Sequence, residues 1–359
     1  MTRFLLSLCV AAFCMAPSLA QETGLNAPFV KSAERVLVNY IRPSFKALQK
    51  HGEELHDALD AFCNAPNVPQ HIEVKEAFKS FALSFARVEV MRFGPLVEKN
   101  RLERLYFWPD RRGLALKRVQ RALAEQDESV LKTSNLRSKS IALQGLGGLE
   151  FLLFGTGSDV ITSDAFRCQF AAAIAGSLAN TSKEVATAWL DETGYSQQFL
   201  NPNGTNTTYR SKREVGAEIL NVMKNSTEAI ALLKLGAVLG ETPKKAKPKR
   251  APLWRSGLSV AMLNINIASI FAFQKASGIL TFLPKAQSWI IGSTTFEYEN
   301  VGKRLQEISL PITEAVLDDL ARGKLIYAHT VLSGLTPLYS EDVAPSLGLQ
   351  TGFNALDGD

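Results

Sequence analysis

The sequence predicts an all-α protein, built as two helical-bundle halves of antiparallel helices. Three observations carry this. Every long apolar pattern repeats with the 3.6-residue period of a helix face. The period-2 alternation of a half-buried strand is missing. The breaks between patterns are short and rich in Pro, Gly and Asn, as connections between antiparallel helices are. The chain has 359 residues and is 46% hydrophobic, enough for a sizeable core. Its formal net charge of +5 is small, and no basic stripe interleaved with aromatics appears, which argues against a nucleic-acid partner.

Residues 1–20 read as a secretory leader. Arg3 is its positive end, residues 4–12 its apolar run, and Ser18-Leu19-Ala20 a small-residue cleavage pattern. Cleavage is expected after Ala20, giving a periplasmic chain that starts at Gln21. The apolar run is too short to span a bilayer, and Cys9 and Cys14 leave with it. Cys63 and Cys168 remain. An exported compartment permits a disulfide between them; two buried thiols are the alternative.

Residues 21–200 form the expected first half. An amphipathic pattern over 27–64 is kinked or divided by Pro43, and NAPNVP at 64–69 ends it. The next helix is expected over 73–93. Its stripe is Phe78, Phe81, Phe85 and Val88, with Glu89 and Arg92 on the same face, and Gly94-Pro95 stops it. A connector at 96–109 holds Tyr106, Phe107 and Trp108. A basic helix follows over 111–125, with Pro109 or Asp110 near its start. A glycine-rich helix is expected over 138–154, then an Ala-rich one over 164–192.

The polar loop NPNGTNTT at 201–208 is the best internal boundary, so residues 201–359 form the second half. A helix over 210–239 leads to a basic Pro/Lys linker at 240–253, whose charge run at 240–250 reads as a solvated, mobile loop. Helices are expected near 257–277, 285–309 and 313–335. The tail, 347–359, is too glycine-rich for one.

The chain is organised around LQGLGGLEFLLFG, residues 143–155. As a helix its stripe is Leu143, Leu146, Gly147, Glu150 and Phe154. Interior glycines disfavour a helix by about 1 kcal/mol each. Gly145, Gly147 and Gly148 together therefore suggest close approach of another backbone or a ligand. Glu150 on a buried face needs a partner. These features read as a site; the alternative is a tight helix crossing with Glu150 paired to an Arg. If the two helices are neighbours, Glu89, Arg92 and Glu150 meet in the core, where bundles build ligand and metal sites. The histidines His51, His56, His71 and His329 have no metal-ligand spacing. Gly145–Glu150 lacks the third glycine and the preceding strand of a dinucleotide fingerprint. Trp108-Pro109-Asp110 is similar to the acid loop of tyrosine phosphatases, but Cys168 has Ile174 where that chemistry needs Arg.

At these residues the chain resembles the imelysin-like family, exported bacterial proteins also filed as family M75 peptidases. The likeness rests on Val88-Glu89 followed by Arg92-Phe93-Gly94-Pro95 and Phe107-Trp108-Pro109-Asp110, on GLGGLEFLLFG, and on the terminal GFNALDGD. The second stretch looks like the family's G-x-H-x-x-E motif, with Gly147 where the family has His. The resemblance implies a two-domain helical bundle in the periplasm, associated with iron or haem acquisition, with a site at the domain interface. The candidate ligand-binding residues in these stretches are Glu89, Arg92, Trp108, Asp110, Gly145, Gly147 and Glu150; after the linker, and outside the resemblance, Arg255 is placed to face the same site. The family's metal set carries over only as Glu89 and Glu150, for iron or another divalent metal. Restoring His at 147 is expected to raise metal affinity if the geometry is kept. Implied partners are iron- or haem-uptake components of the cell envelope, and no catalytic residue is assigned. The rival readings are a metal-dependent peptidase or hydrolase, and a structural module that docks on a membrane transport component.

Overall fold

The apolar stripes resolve into helices throughout a computed structural model that describes residues 22–350, with side chains from Pro28 onward. The leader and the GFNALDGD motif lie outside the described residues. Helix α1 (Glu22–Val36) passes through a π-helical turn, Leu37–Ile41, into α2 (Arg42–Asn64). Pro43 sits in the first turn of α2, where a missing N–H breaks no helical bond. The long pattern is not broken there: Ile41 and Arg42 keep right-handed helical backbone through the π-helical turn. Helix α3 (Val68–Val88) is capped by Asn67, whose side chain accepts the Gln70 N–H at 3.0 Å. It ends earlier than the expected 93, with Glu89 as its C-cap.

The expected connector contains a short helix, α4 (Arg101–Leu105), before the Tyr106–Asp110 loop. Then come α5 (Leu114–Glu125), α6 (Thr133–Leu136), α7 (Gly145–Phe154), α8 (Ala165–Leu190) and α9 (Tyr195–Leu200). Helix α7 opens at Gly145 rather than near 138 because Gly145 has φ +84°. A Cβ there would meet the carbonyl oxygens of Arg104 and Leu105 at 2.8 Å each. The glycine lets α4 end directly against the start of α7.

The second half holds α10 (Lys212–Ala229), a π-helical segment Ile230–Gly236, α11 (Ala237–Leu239), α12 (Ser259–Ser277) and α13 (Trp289–Gln306). It ends with α14 (Ile312–Ala315), α15 (Asp319–Pro337), a π-helical segment Leu338–Val343 and α16 (Ala344–Ser346). No strand occurs among the described residues, and no described helix is long and apolar enough to cross a membrane.

Helix α2 lies along α8 and α3, and α7 packs on α8 and α5. Helices α10, α12, α13 and α15 make the second layer. Helix α1 does not follow the division expected at 200/201: it packs on α10 and α12. The contact of α3 with α12 joins the halves, and the buried apolar side chains form one continuous core. Cys63 near the end of α2 and Cys168 near the start of α8 are bridged, with Cα atoms 5.5 Å apart.

The Pro/Lys segment departs from a plain mobile loop. Its lysines are solvated, but two short 3₁₀ turns, Pro243–Lys245 and Pro248–Arg250, give it a defined path. The Lys247 N–H donates to the Val238 carbonyl at 2.7 Å. Buried Arg322 donates to the carbonyls of Leu239 and Gly240 at 3.0 and 3.1 Å. Ala251 and Leu253 at its end are buried.

Candidate functional site

Where α4 ends, the chain runs extended and lays Tyr106 and Trp108 side by side, ring centroids 6.4 Å apart and nearly parallel. Two hydrogen bonds tie this first-half loop to the second half. The Tyr106 hydroxyl accepts the Leu253 N–H at 3.1 Å, and Trp108 Nε1 donates to the Arg250 carbonyl at 3.2 Å. Between them opens a cavity of about 620 Å³. Its walls are the Tyr106–Leu116 region, the Gly147, Glu150, Phe151 face of α7, and the 249–255 stretch.

Glu150 is buried against this seam. Its Oε1 accepts both the Ser256 N–H and the Ser256 hydroxyl at 2.9 Å. Arg255 Nη1 stands 4.0 Å from Oε2. The Arg255 guanidinium lies 4.4 Å from the Trp254 ring centroid and 5.6 Å from that of Phe151. Burial raises the Glu150 pKa above the ordinary carboxylate range, and Ser256 and Arg255 oppose this. The Tyr106 phenol is pushed well up by its own burial and by the nearby Glu150 charge, so it stays neutral.

Glu89 has different company from that expected. Its Oε1 accepts Lys234 Nζ at 2.5 Å and Asn266 Nδ2 at 2.8 Å. Lys234 also donates to Asn266 Oδ1 at 2.7 Å, and Asn266 Nδ2 donates to the Ala86 carbonyl at 2.6 Å. All three side chains are buried. Burial pushes the Lys234 ammonium pKa down, and Glu89 opposes the shift. Lys234 Nζ also lies 5.5 Å from the Trp108 ring centroid.

No hydrogen bond or ion pair joins Glu89, Arg92 and Glu150 to one another among the described residues; Arg92 stays near enough to help lower the Lys234 pKa. Arg92 is exposed because α3 ends at Val88, so the i, i+3 relation that placed Arg92 beside Glu89 lapses. The two carboxylates have separate partners, with Tyr106 sensing the charge of both. Trp108, Asp110, Gly147, Glu150 and Arg255 line the cavity; Gly145 is not among its lining residues and serves the α4–α7 contact. Asp110 caps α5, its two oxygens accepting the N–H groups of Leu114 and Ala115 at 2.8 Å.

Lys234, Asn266, Ser256 and Tyr106 were missed as site residues. Lys234 is a lone cation within the apolar run 229–239, on a π-helical segment, a backbone feature often found at functional sites. Asn266 breaks the apolar face of α12 in the same way. Ser256 reads in sequence as an ordinary helix cap.

The donor set does not fit a metal. The Glu89 oxygen already receives an ammonium and an amide, and the Glu150 oxygen two donors from Ser256. Among the described residues no group of three His, Cys, Asp or Glu side chains could hold an ion. At Gly147 an added Cβ would meet only the Tyr106 ring, at 3.5 Å.

The fold and seam define an all-helical protein with a ligand-sized cavity between two packed layers. The family model for Imelysin (Peptidase_M75) matches residues 41–336, and the chain belongs to that family. An imelysin-like protein from Psychrobacter arcticum 273-4 is 19% identical, with a TM-score of 0.67 over 91% of this chain and 98% of that one. A provisionally described iron-regulated protein A precursor from Parabacteroides distasonis ATCC 8503 is 14% identical, with a TM-score of 0.67 over 87% and 95%. No curated protein matches the chain.

Proposed function

We propose that this imelysin-family chain is an exported binding protein of iron or haem acquisition, whose ligand site is the cavity between its halves. The observation that carries the reading is the cavity itself: about 620 Å³, within the range of small-molecule sites, with aromatic walls and a few placed polar groups. The iron connection rests on the similar protein described as iron-regulated. Export rests on the leader pattern and suits a bridged Cys63 and Cys168. The peptidase reading is disfavoured by chemistry: a hydrolytic metal needs several protein ligands and an open position, and the carboxylates here are already held by protein donors.

The test has two readouts. Purified periplasmic protein is assayed for metal content and peptide hydrolysis, beside Gly147→His. A deletion strain is grown under iron limitation and complemented with wild type or Trp254→Leu. The expected outcome is substoichiometric metal, no hydrolysis, little metal gained by Gly147→His alone, and a growth defect that Trp254→Leu does not rescue. Stoichiometric metal with chelator-sensitive hydrolysis would establish the peptidase instead. Normal growth of the deletion strain would remove the iron role.

A further inference from the structure

The cavity carries two kinds of wall, and their combination selects a ligand. Its apolar faces are aromatic: Tyr106, Phe107, Trp108, Phe151 and Trp254. Its charged lining is Arg111, Lys249, Arg250 and Arg255 against Asp110 and Glu150. The two acids are already engaged. Both Asp110 oxygens cap α5, and Glu150 is held by Ser256 with Arg255 beside it. No ion pair engages Arg111, Lys249 or Arg250 among the described residues. The unneutralised charge around the cavity is therefore positive.

Aromatic walls alone would suit a cationic guest, because the ring faces are negative. Here three of the five rings already carry a resident cation. Lys234 lies over Trp108, Lys249 lies 5.4 Å from the Trp254 ring centroid, and Arg255 lies over both Trp254 and Phe151. A guest cation would meet a resident cation at Trp108, Phe151 and Trp254. A guest anion would instead meet Arg255, a guanidinium held in place by two rings and available for a charge-assisted, two-pronged contact. Resting on the binding reading above, we propose that this cavity takes an aromatic anion: a flat apolar body against the Tyr106 and Phe107 walls, which no cation among the described residues covers, with its carboxylate or equivalent group on Arg255 and Lys249.

The probes are 2-naphthoate, the neutral 2-naphthylmethanol and the cationic 2-naphthylmethylammonium, titrated calorimetrically into the full mature chain. The expected result is that 2-naphthoate binds about tenfold or more tightly than the alcohol, the worth of one charge-assisted hydrogen bond. The ammonium should give no binding heat, and added salt should weaken the anion alone. Arg255→Met should remove the preference for the anion. Exposed Lys249→Met should reduce it, and keeps the question open to test if the first variant is unstable. If the alcohol binds as well as 2-naphthoate, the cavity binds ligands but the anion assignment falls. Tighter binding of the ammonium overturns it as well. If no probe binds, the anion assignment falls together with the binding reading.

Discussion

Lys234 does for Glu89 what Arg92 was expected to do, and the reason is one turn of backbone. Glu89 and Arg92 share a face only while α3 continues; it stops at Val88, and the chain turns Arg92 to solvent. The cation that neutralises Glu89 comes from 145 residues away. Sequence identified both buried carboxylates, because a charge on an apolar stripe is visible locally. It offered Arg255 toward Glu150 but not Lys234 and Asn266 on Glu89 or Ser256 on Glu150, because pairing between distant segments leaves no periodic trace. A buried pair that loses one partner is destabilised by about 3–5 kcal/mol, since the remaining charge stays desolvated. Lys234→Met should therefore lower unfolding stability by about that much. Lys234→Met combined with Glu89→Gln should recover a large part of the loss. Urea denaturation measures both; a single variant within about 0.5 kcal/mol of wild type would mean that the pair is not energetically coupled to the fold.

At the scale of elements, existence was legible and boundaries were not. Every long helix expected from periodicity is present, but α3 ends early and α7 starts late, in each case where side-chain pattern gives way to backbone geometry. The π-helical segment carrying Lys234 was read as plain helix, since an extra residue per turn barely alters a short apolar pattern. Helix α10 supplies a test of its own. Glu218 on α10 accepts the Tyr209 hydroxyl at 3.3 Å, and Tyr209 in turn contacts the Tyr195 hydroxyl at 2.6 Å. Burial lifts the Glu218 pKa from 4.5 to about 7, with the Tyr209 hydrogen bond opposing. A folded-state pKa above the unfolded one favours the protonated fold. The stability from this group is full below the unfolded value and is lost as pH rises through about 7. Between pH ~5 and ~8, wild type should lose ~2 kcal/mol relative to Glu218→Gln, after discounting for solvent screening. Parallel stability–pH curves for the two proteins would show that Glu218 titrates normally.

On the scale of the whole molecule, α1 packs on α10 and α12, and α3 on α12, so helices from before the 201–208 loop are covered by helices from after it. An amphipathic pattern shows that a helix buries one face, and says nothing about which partner covers it. The seam so formed holds the cavity, and most of its first-half wall comes from one covalent loop. The Cys63–Cys168 bridge spans 105 positions of sequence, enclosing Glu89, the Tyr106–Asp110 loop, Gly147 and Glu150. Closing so long a loop restricts the unfolded chain, an effect worth about 2–5 kcal/mol although its entropic account depends on the model used. Both cysteines lie on helices, α2 and α8, that also pack along their length, so the fold itself does not require the bridge. The variant Cys63→Ser/Cys168→Ser should therefore keep its helical far-ultraviolet spectrum while losing about 2–5 kcal/mol in denaturant unfolding. Wild type treated with reductant should match it. An unchanged denaturation midpoint after verified reduction would show that interhelical packing alone sets the stability of this half, whereas loss of the helical spectrum would make the bridge a condition of folding.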